Sequence, residues 1–162
     1  MAISSLTDTL SLRKISKEDL PFLYQVYAST RWEELAVTGW PKEQIDWFLL
    51  TQFNMQHTQW QQNYPQADFD LILLDHTPVG RLYVDRWETE IRIIDIAVLP
   101  EFRGRGIGTH FLKQLKREAG QKKLLLSLHV EKNNPARSLY QRLGFRLAQE
   151  DDVYDLLEIE PD

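Results

Sequence analysis

The chain has 162 residues, 43% of them apolar and 27% charged, a size and balance that suit one globular domain with a sizeable core and leave little room for two. A formal net charge of −5 argues against a nucleic-acid surface as the main partner, and the absence of cysteine removes disulfides, thiol catalysis and cysteine-containing metal sites. His57, His76, His110 and His129 lack ligand spacing, so no metal site is expected; no apolar run could cross a bilayer, so cytoplasmic residence without a membrane partner is expected.

In chain order, Leu10 to Ile15 alternates like a short strand, and Asp19-Leu20-Pro21 starts a helix because proline is tolerated in a first turn. Leu20, Leu23, Val26 and Tyr27 share one face of it, and the helical stretch is expected over 17–37. Pro41 opens a second helix, expected over 41–63, with Ile45, Phe48, Leu49 and Phe53 as its apolar stripe. Phe69 to Leu74 and Val79 to Val84 read as antiparallel strands around an Asp75-His76-Thr77-Pro78 turn, followed by a strand from Glu90 to Leu99. The second half alternates: helix Gly106 to Ala119 with Gly120 as left-handed cap, strand Leu124 to Val130, then a helix from Pro135 to Leu143. Phe145 to Glu150 and Val153 to Ile159 finish as antiparallel strands. The expectation is a single α/β domain over 1–162, a mixed central sheet of about seven strands flanked by about four helices. Lys113, Lys116, Arg117, Lys122 and Lys123 read as a solvated helix face, and nucleic acid is not an expected partner.

The run Arg103-Gly104-Arg105-Gly106-Ile107-Gly108 carries the most information, because it turns an apolar strand directly into an amphipathic helix. Backbone N–H groups, two arginines and the positive end of a helix dipole then surround one small volume, which is how a protein holds a pyrophosphate. The glycine spacing does not fit a dinucleotide-binding fingerprint, and Gly108-Thr109 lacks the lysine of a P-loop. Taken alone, the cluster could equally be a tight strand-to-helix corner.

Joined to Ile96-Ala97-Val98 before it and to Asn134-Pro135-Ala136-Arg137-Ser138-Leu139-Tyr140 and Gly144-Phe145 after it, the run resembles the GCN5-related N-acetyltransferase (GNAT) family, with the detailed likeness over residues 93–146. The phosphate motif, Gln or Arg, two residues, Gly, one residue, then Gly or Ala, is matched by Arg103, Gly106 and Gly108. The resemblance implies an acetyl-CoA-dependent N-acetyltransferase. Its donor would lie where the strands ending near Val98 and Val130 part, along the main chain of Ile96, Ala97 and Val98. The pyrophosphate would sit within Arg103, Gly104, Arg105, Gly106, Ile107, Gly108 and Thr109. Asn134, Ala136 and Tyr140 would complete the donor site; Asn133 fits the family's count to the tyrosine better, but Pro135 marks the helix start beside Asn134.

The resemblance also implies that Tyr140 protonates the departing coenzyme A thiolate, which a phenol of pKa ~10 can do because it is fully protonated at neutral pH. A lysine-like amine of pKa ~10.4 is almost entirely protonated there, so its proton needs an acceptor. His129 is the candidate; Glu90, Glu131 and a water chain are alternatives, and each side chain could instead simply pack. The two N-terminal helices would form part of the acceptor side, with Trp32, Trp40, Trp47, Trp87 and Tyr154 near it. Glu33, Glu34, Asp46, Glu88, Glu90 and Glu150-Asp151-Asp152 suit a cationic small-molecule or peptide amine. The alternative is a non-catalytic acyl-CoA-binding sensor of the same fold; a homodimer is left open.

Overall fold

The computed structural model describes residues 9–132 and 134–161. The first hairpin shows how local chemistry sets the sheet. Strands β2 (Asp68–Leu74) and β3 (Thr77–Arg86) are joined by Asp75 and His76 alone, both at positive φ, 50° and 71°. A two-residue turn in that conformation matches the twist of its strands, so the expected four-residue turn tightens and β3 begins at Thr77. Strand β1 (Leu10–Lys14) pairs antiparallel with β2, and β4 (Glu90–Val98) with β3. Strands β5 (Leu125–Glu131), β6 (Arg146–Glu150) and β7 (Tyr154–Ile159) complete a seven-stranded mixed sheet in the order β1-β2-β3-β4-β5-β7-β6.

Alternation along the strands loads both faces of the sheet. One face, with Ile72, Val84, Ile91, Ile93, Leu126 and Leu128, packs under α4 (Ile107–Lys122) and α5 (Arg137–Leu143). The other, with Leu71, Leu73 and Tyr83, packs under α1 (Leu20–Ser29) and α3 (Lys42–Asn63). In β4 the alternation slips once: Tyr83 faces Asp95 and Val84 faces Ile93, which leaves Ile94 as an extra residue. Ile94 joins the core under α1 and α3, whereas Ile96 and Val98 pack towards α4. A bulge of this kind bends its strand and adds local twist.

The helical stretch expected over 17–37 is broken into a 3-10 turn at Lys17–Asp19, α1, and a short α2 (Trp32–Ala36). The break at Thr30 and Arg31 has a side-chain cause. The hydroxyls of Ser29 and Thr30 donate to the carbonyls of Val26 at 2.7 Å and Tyr27 at 2.8 Å, competing with the main-chain ladder. Helix α3 runs unbroken to Asn63 through five glutamines from Gln52 onward. Gly120 does not cap α4, which continues to Lys122; Lys123 takes the left-handed conformation at φ 57°, and Leu124 N–H donates to Ala119. Helix α5 starts at Arg137, two residues after Pro135, and ends at Gly144 with φ 105°. Among the described residues five α-helices therefore flank the sheet where about four were expected.

Gly80 on β3 faces Val98, and a Cβ added there would run into the Ala97 carbonyl and the Val98 main chain. Gly80→Ala is expected to cost about 1–3 kcal/mol by overpacking, read as a lower midpoint in denaturant, with an unchanged midpoint counting against so close an approach of β3 to β4.

Candidate active site

Strands β4 and β5 run parallel and pair only from Glu90 with Leu125 to Ile93 with Leu128. Beyond that point each strand keeps its outer partner. β4 stays with β3 through Gly80 and Val98, and β5 stays with β7 through Glu131 and Tyr154. The inner edges therefore part just where Ile94 bulges, and the main chain of Ile96, Ala97 and Val98 has no β5 partner. The Val98 carbonyl accepts instead from the Arg103 side chain, and the rest of this edge has no β5 strand beside it, an arrangement that is costly for any N–H or C=O left without a partner.

The open edge leads into the glycine turn. A 3-10 turn at Pro100–Phe102 precedes it, and Gly104 and Gly106 adopt left-handed φ of 77° and 81°. Gly106 is the N-cap of α4, so the first-turn N–H groups of Ile107, Gly108 and Thr109 have no acceptor within the helix and lie at its positive end. A Cβ at Gly104, Gly106 or Gly108 would meet nothing within 4 Å. The glycines therefore keep open a space that the rest of the protein does not fill. Arg103 folds back, its Nε donating to the Val98 carbonyl at 2.9 Å, and Arg105 lies with its guanidinium carbon 5.2 Å from the Phe102 ring centroid. Both arginines are exposed at the rim.

Tyr140 of α5 belongs to the core against which the same stretch of β4 packs. It is buried in one packed cluster with Ile107 and Phe145, against which Ile96, Val98, Phe102 and Ala136 also pack, and its ring centroid lies 5.8 Å from that of Phe145. Two ties hold α5 in place. Asp155 of β7 receives Lys132 Nζ and Arg137 Nη1, each at 2.7 Å, and Lys116 Nζ of α4 donates to the Leu143 carbonyl at 2.6 Å. Burial, and then the charge of Asp95, push the Tyr140 phenol above its ordinary value and keep it protonated. Asn134 Oδ1 accepts the Ala136 N–H at 2.8 Å, so its oxygen is committed to the start of α5. Asn133 lies outside the described residues.

His129 stands on the opposite face of the sheet, one residue past the last β4–β5 pair. Arg92 Nη1 approaches its Nδ1 at 3.4 Å, while the same guanidinium donates to Ser127 Oγ at 2.7 Å and Glu90 Oε2 at 3.0 Å. Burial and the Arg92 charge lower the His129 pKa from 6.5, against a smaller pull from Asp151 and Glu90. The imidazole is thus neutral at pH 7. A histidine depressed when folded binds fewer protons than the unfolded chain, so stability is expected to fall as pH drops from 6.5 through the folded value and to be unaffected above 6.5. Burial lowers His57 in the same direction. Melting curves between neutral pH and pH 5 should flatten in His129→Gln, and an unaltered slope would count against a depressed His129.

The two alternative bases are otherwise engaged. Glu90 accepts from Arg92 and Ser127, and Glu131 pairs with Arg31 at 3.3 Å. Glu90 also lies six residues before Ile96, about 20 Å along an extended strand. Trp87 and Glu88 belong to the turn at that same distant end, where Trp87 stacks on Tyr64 with centroids 6.3 Å apart. The Arg92 guanidinium carbon lies 5.1 Å from the Trp87 ring centroid, between that turn and His129. Trp32 packs on the α1–α3 core and Trp40 against Phe48, while Trp47 is 69% exposed. Among the named aromatics Tyr154, opposite Glu131, stands at the open end. Asp95 escaped sequence reading altogether, because its partner Arg81 lies on a different strand.

A family model described as Acetyltransferase (GNAT) family matches residues 14–145. The chain belongs to that family. This GNAT chain is 27% identical over 155 residues to an uncharacterized N-acetyltransferase of Methanocaldococcus jannaschii, covering 90% of its own length and 64% of that relative's. Among solved structures it is similar to the PaiA N-acetyltransferase of Thermoplasma acidophilum in complex with coenzyme A, at 20% identity and a TM-score of 0.68, covering 94% of this chain and 99% of that one. It is likewise similar to a GNAT acetyltransferase of Elizabethkingia anophelis with acetyl-CoA bound, at 18% identity and a TM-score of 0.59, covering 94% and 97%. At these identities the structures establish the shared fold. No helix among the described residues is long and apolar enough to cross a membrane, and no group of metal-binding side chains occurs among them.

Proposed function

We propose that this GNAT chain transfers an acetyl group from acetyl-CoA to a primary amine by direct attack. The observation that carries this reading is the parted β4–β5 edge, continuous with the glycine turn at one end and faced by the protonated Tyr140. Ile96, Ala97 and Val98 offer main-chain groups to the pantetheine amides. Gly104 to Thr109 offer N–H groups to the pyrophosphate, with Arg103 and Arg105 at the rim. Ala136 borders the thioester end, and Asn134 braces the loop before α5.

Acetyl-CoA supplies the activated acetyl group. His129, neutral at pH 7, takes the amine's first proton through water, which frees the nitrogen lone pair. The C–N bond forms as the C–S bond breaks, and Tyr140 gives its proton to the thiolate. The second proton lost by the nitrogen restores the phenol. In sum an ammonium and a thioester yield an amide, a free thiol and one proton to solvent.

The test is thiol release from acetyl-CoA over a panel of primary amines, alongside thermal-shift titration with acetyl-CoA, ATP and NAD. Release with at least one amine and stabilisation by acetyl-CoA alone are expected. Stabilisation without release from any amine would favour the non-catalytic acyl-CoA sensor.

A further inference from the structure

Arg81 is 4% exposed, roofed by α1 and α3, with its guanidinium carbon 5.4 Å from the Trp60 ring centroid and 5.1 Å from that of Tyr83. Its Nε donates to Asp95 Oδ2 at 2.7 Å. Taking such a pair out of water gains little over an apolar pair of similar volume, so stability alone is a poor account of it. Its geometric effect is specific. Asp95 lies two positions past the last β4–β5 pair and one before Ile96, with a side chain 28% exposed. Arg81 holds one carboxylate oxygen; the other, Oδ1, has no hydrogen-bond partner among the described residues. The Tyr140 hydroxyl feels the Asp95 charge from the other face of the sheet. On the Asp95 side of the sheet, the Arg31 guanidinium carbon lies 4.1 Å from the Tyr27 ring centroid and Arg31 pairs with Glu131 at 3.3 Å, with Tyr154 opposite Glu131 across β5 and β7.

We propose that Asp95 receives the acceptor: its open Oδ1 accepts a hydrogen bond from the attacking nitrogen and aims the lone pair at the acetyl carbon, with Arg81 as the positioning residue. The acceptor class that follows is an amine arriving as its ammonium, which a fixed carboxylate prefers to a neutral hydroxyl or an anionic group. This assignment rests on the transferase reading above and adds the residue that meets the amine.

The experiment uses the full chain and three probes, propylamine, 1,4-diaminobutane and a short peptide with a free N-terminal alanine, with thiol release and calorimetric acetyl-CoA binding measured in parallel. Asp95→Asn is expected to lower kcat/KM for the best probe about ten- to hundred-fold, the size of a lost hydrogen bond to a charged group, with acetyl-CoA affinity within about twofold of wild type. Asp95→Glu, which restores the charge at a displaced position, should recover part of the loss. Since Asp95→Asn leaves Arg81 buried without its partner, Arg81→Met/Asp95→Asn removes both charges and should show the same loss in a folded protein. Undiminished kcat/KM in the folded double variant, or an equal loss of acetyl-CoA binding, overturns the assignment. No thiol release from any probe by the wild-type chain overturns the transferase reading itself, and this assignment with it.

Discussion

Tyr140→Phe is expected to lower kcat about 100-fold, within the range of a lost general acid, while acetyl-CoA affinity stays within about twofold of wild type. The substitution removes one oxygen and leaves the ring on Phe145, so packing survives. Burial raises the phenol and would at first sight make it a poorer acid. The same desolvation raises the basicity of a thiolate formed beside it, so the two groups move together and the transfer stays matched. Steady-state kinetics with the best amine and calorimetry with acetyl-CoA check the two halves separately. Equal losses in both would reduce Tyr140 to a packing residue.

Gly106→Val should act in the opposite way, abolishing donor binding before chemistry is reached. A Cβ at 106 meets no protein atom within 4 Å, so a larger side chain enters only the space in front of the α4 N-terminus. Losing two charge-assisted hydrogen bonds to phosphate would weaken acetyl-CoA binding by about 100-fold or more. The left-handed φ of 81° adds a stability cost of roughly 1–2 kcal/mol for a residue with a Cβ. The expected result is a folded protein with a slightly lower melting point that acetyl-CoA no longer stabilises in a thermal shift. Retained affinity would make the turn a corner and nothing more.

The parts of the site that the sequence made legible are those decided by neighbours in the chain. Gly104 and Gly106 must accept positive φ where they stand, and the dipole of α4 begins at the residue the turn delivers. Tyr140 falls on the inner face of a seven-residue helix bounded by Gly144, which needs only helical periodicity. Other expectations failed for local reasons that periodicity cannot see. Ser29 and Thr30 back-bond to end α1, and Lys123 takes the left-handed cap assigned to Gly120. Trp87, expected near the acceptor, lies in the turn that opens β4, against Tyr64 and Arg92.

From residue order alone came the α/β class, the glycine turn that opens α4, the short helix carrying Tyr140 and the family resemblance, because each depends on contacts within a few residues or on a spacing along one element. Only the tertiary structure decided where β4 and β5 part, since that depends on the extra residue at Ile94 and on each strand keeping its outer partner. It alone brought Arg81 to Asp95 across two strands, because one slip in the pleat turned that carboxylate under α1 and α3. Local propensity writes the glycine turn and the helix that carries Tyr140; the Arg81–Asp95 pair arises from pairings between strands, which no short window of sequence contains.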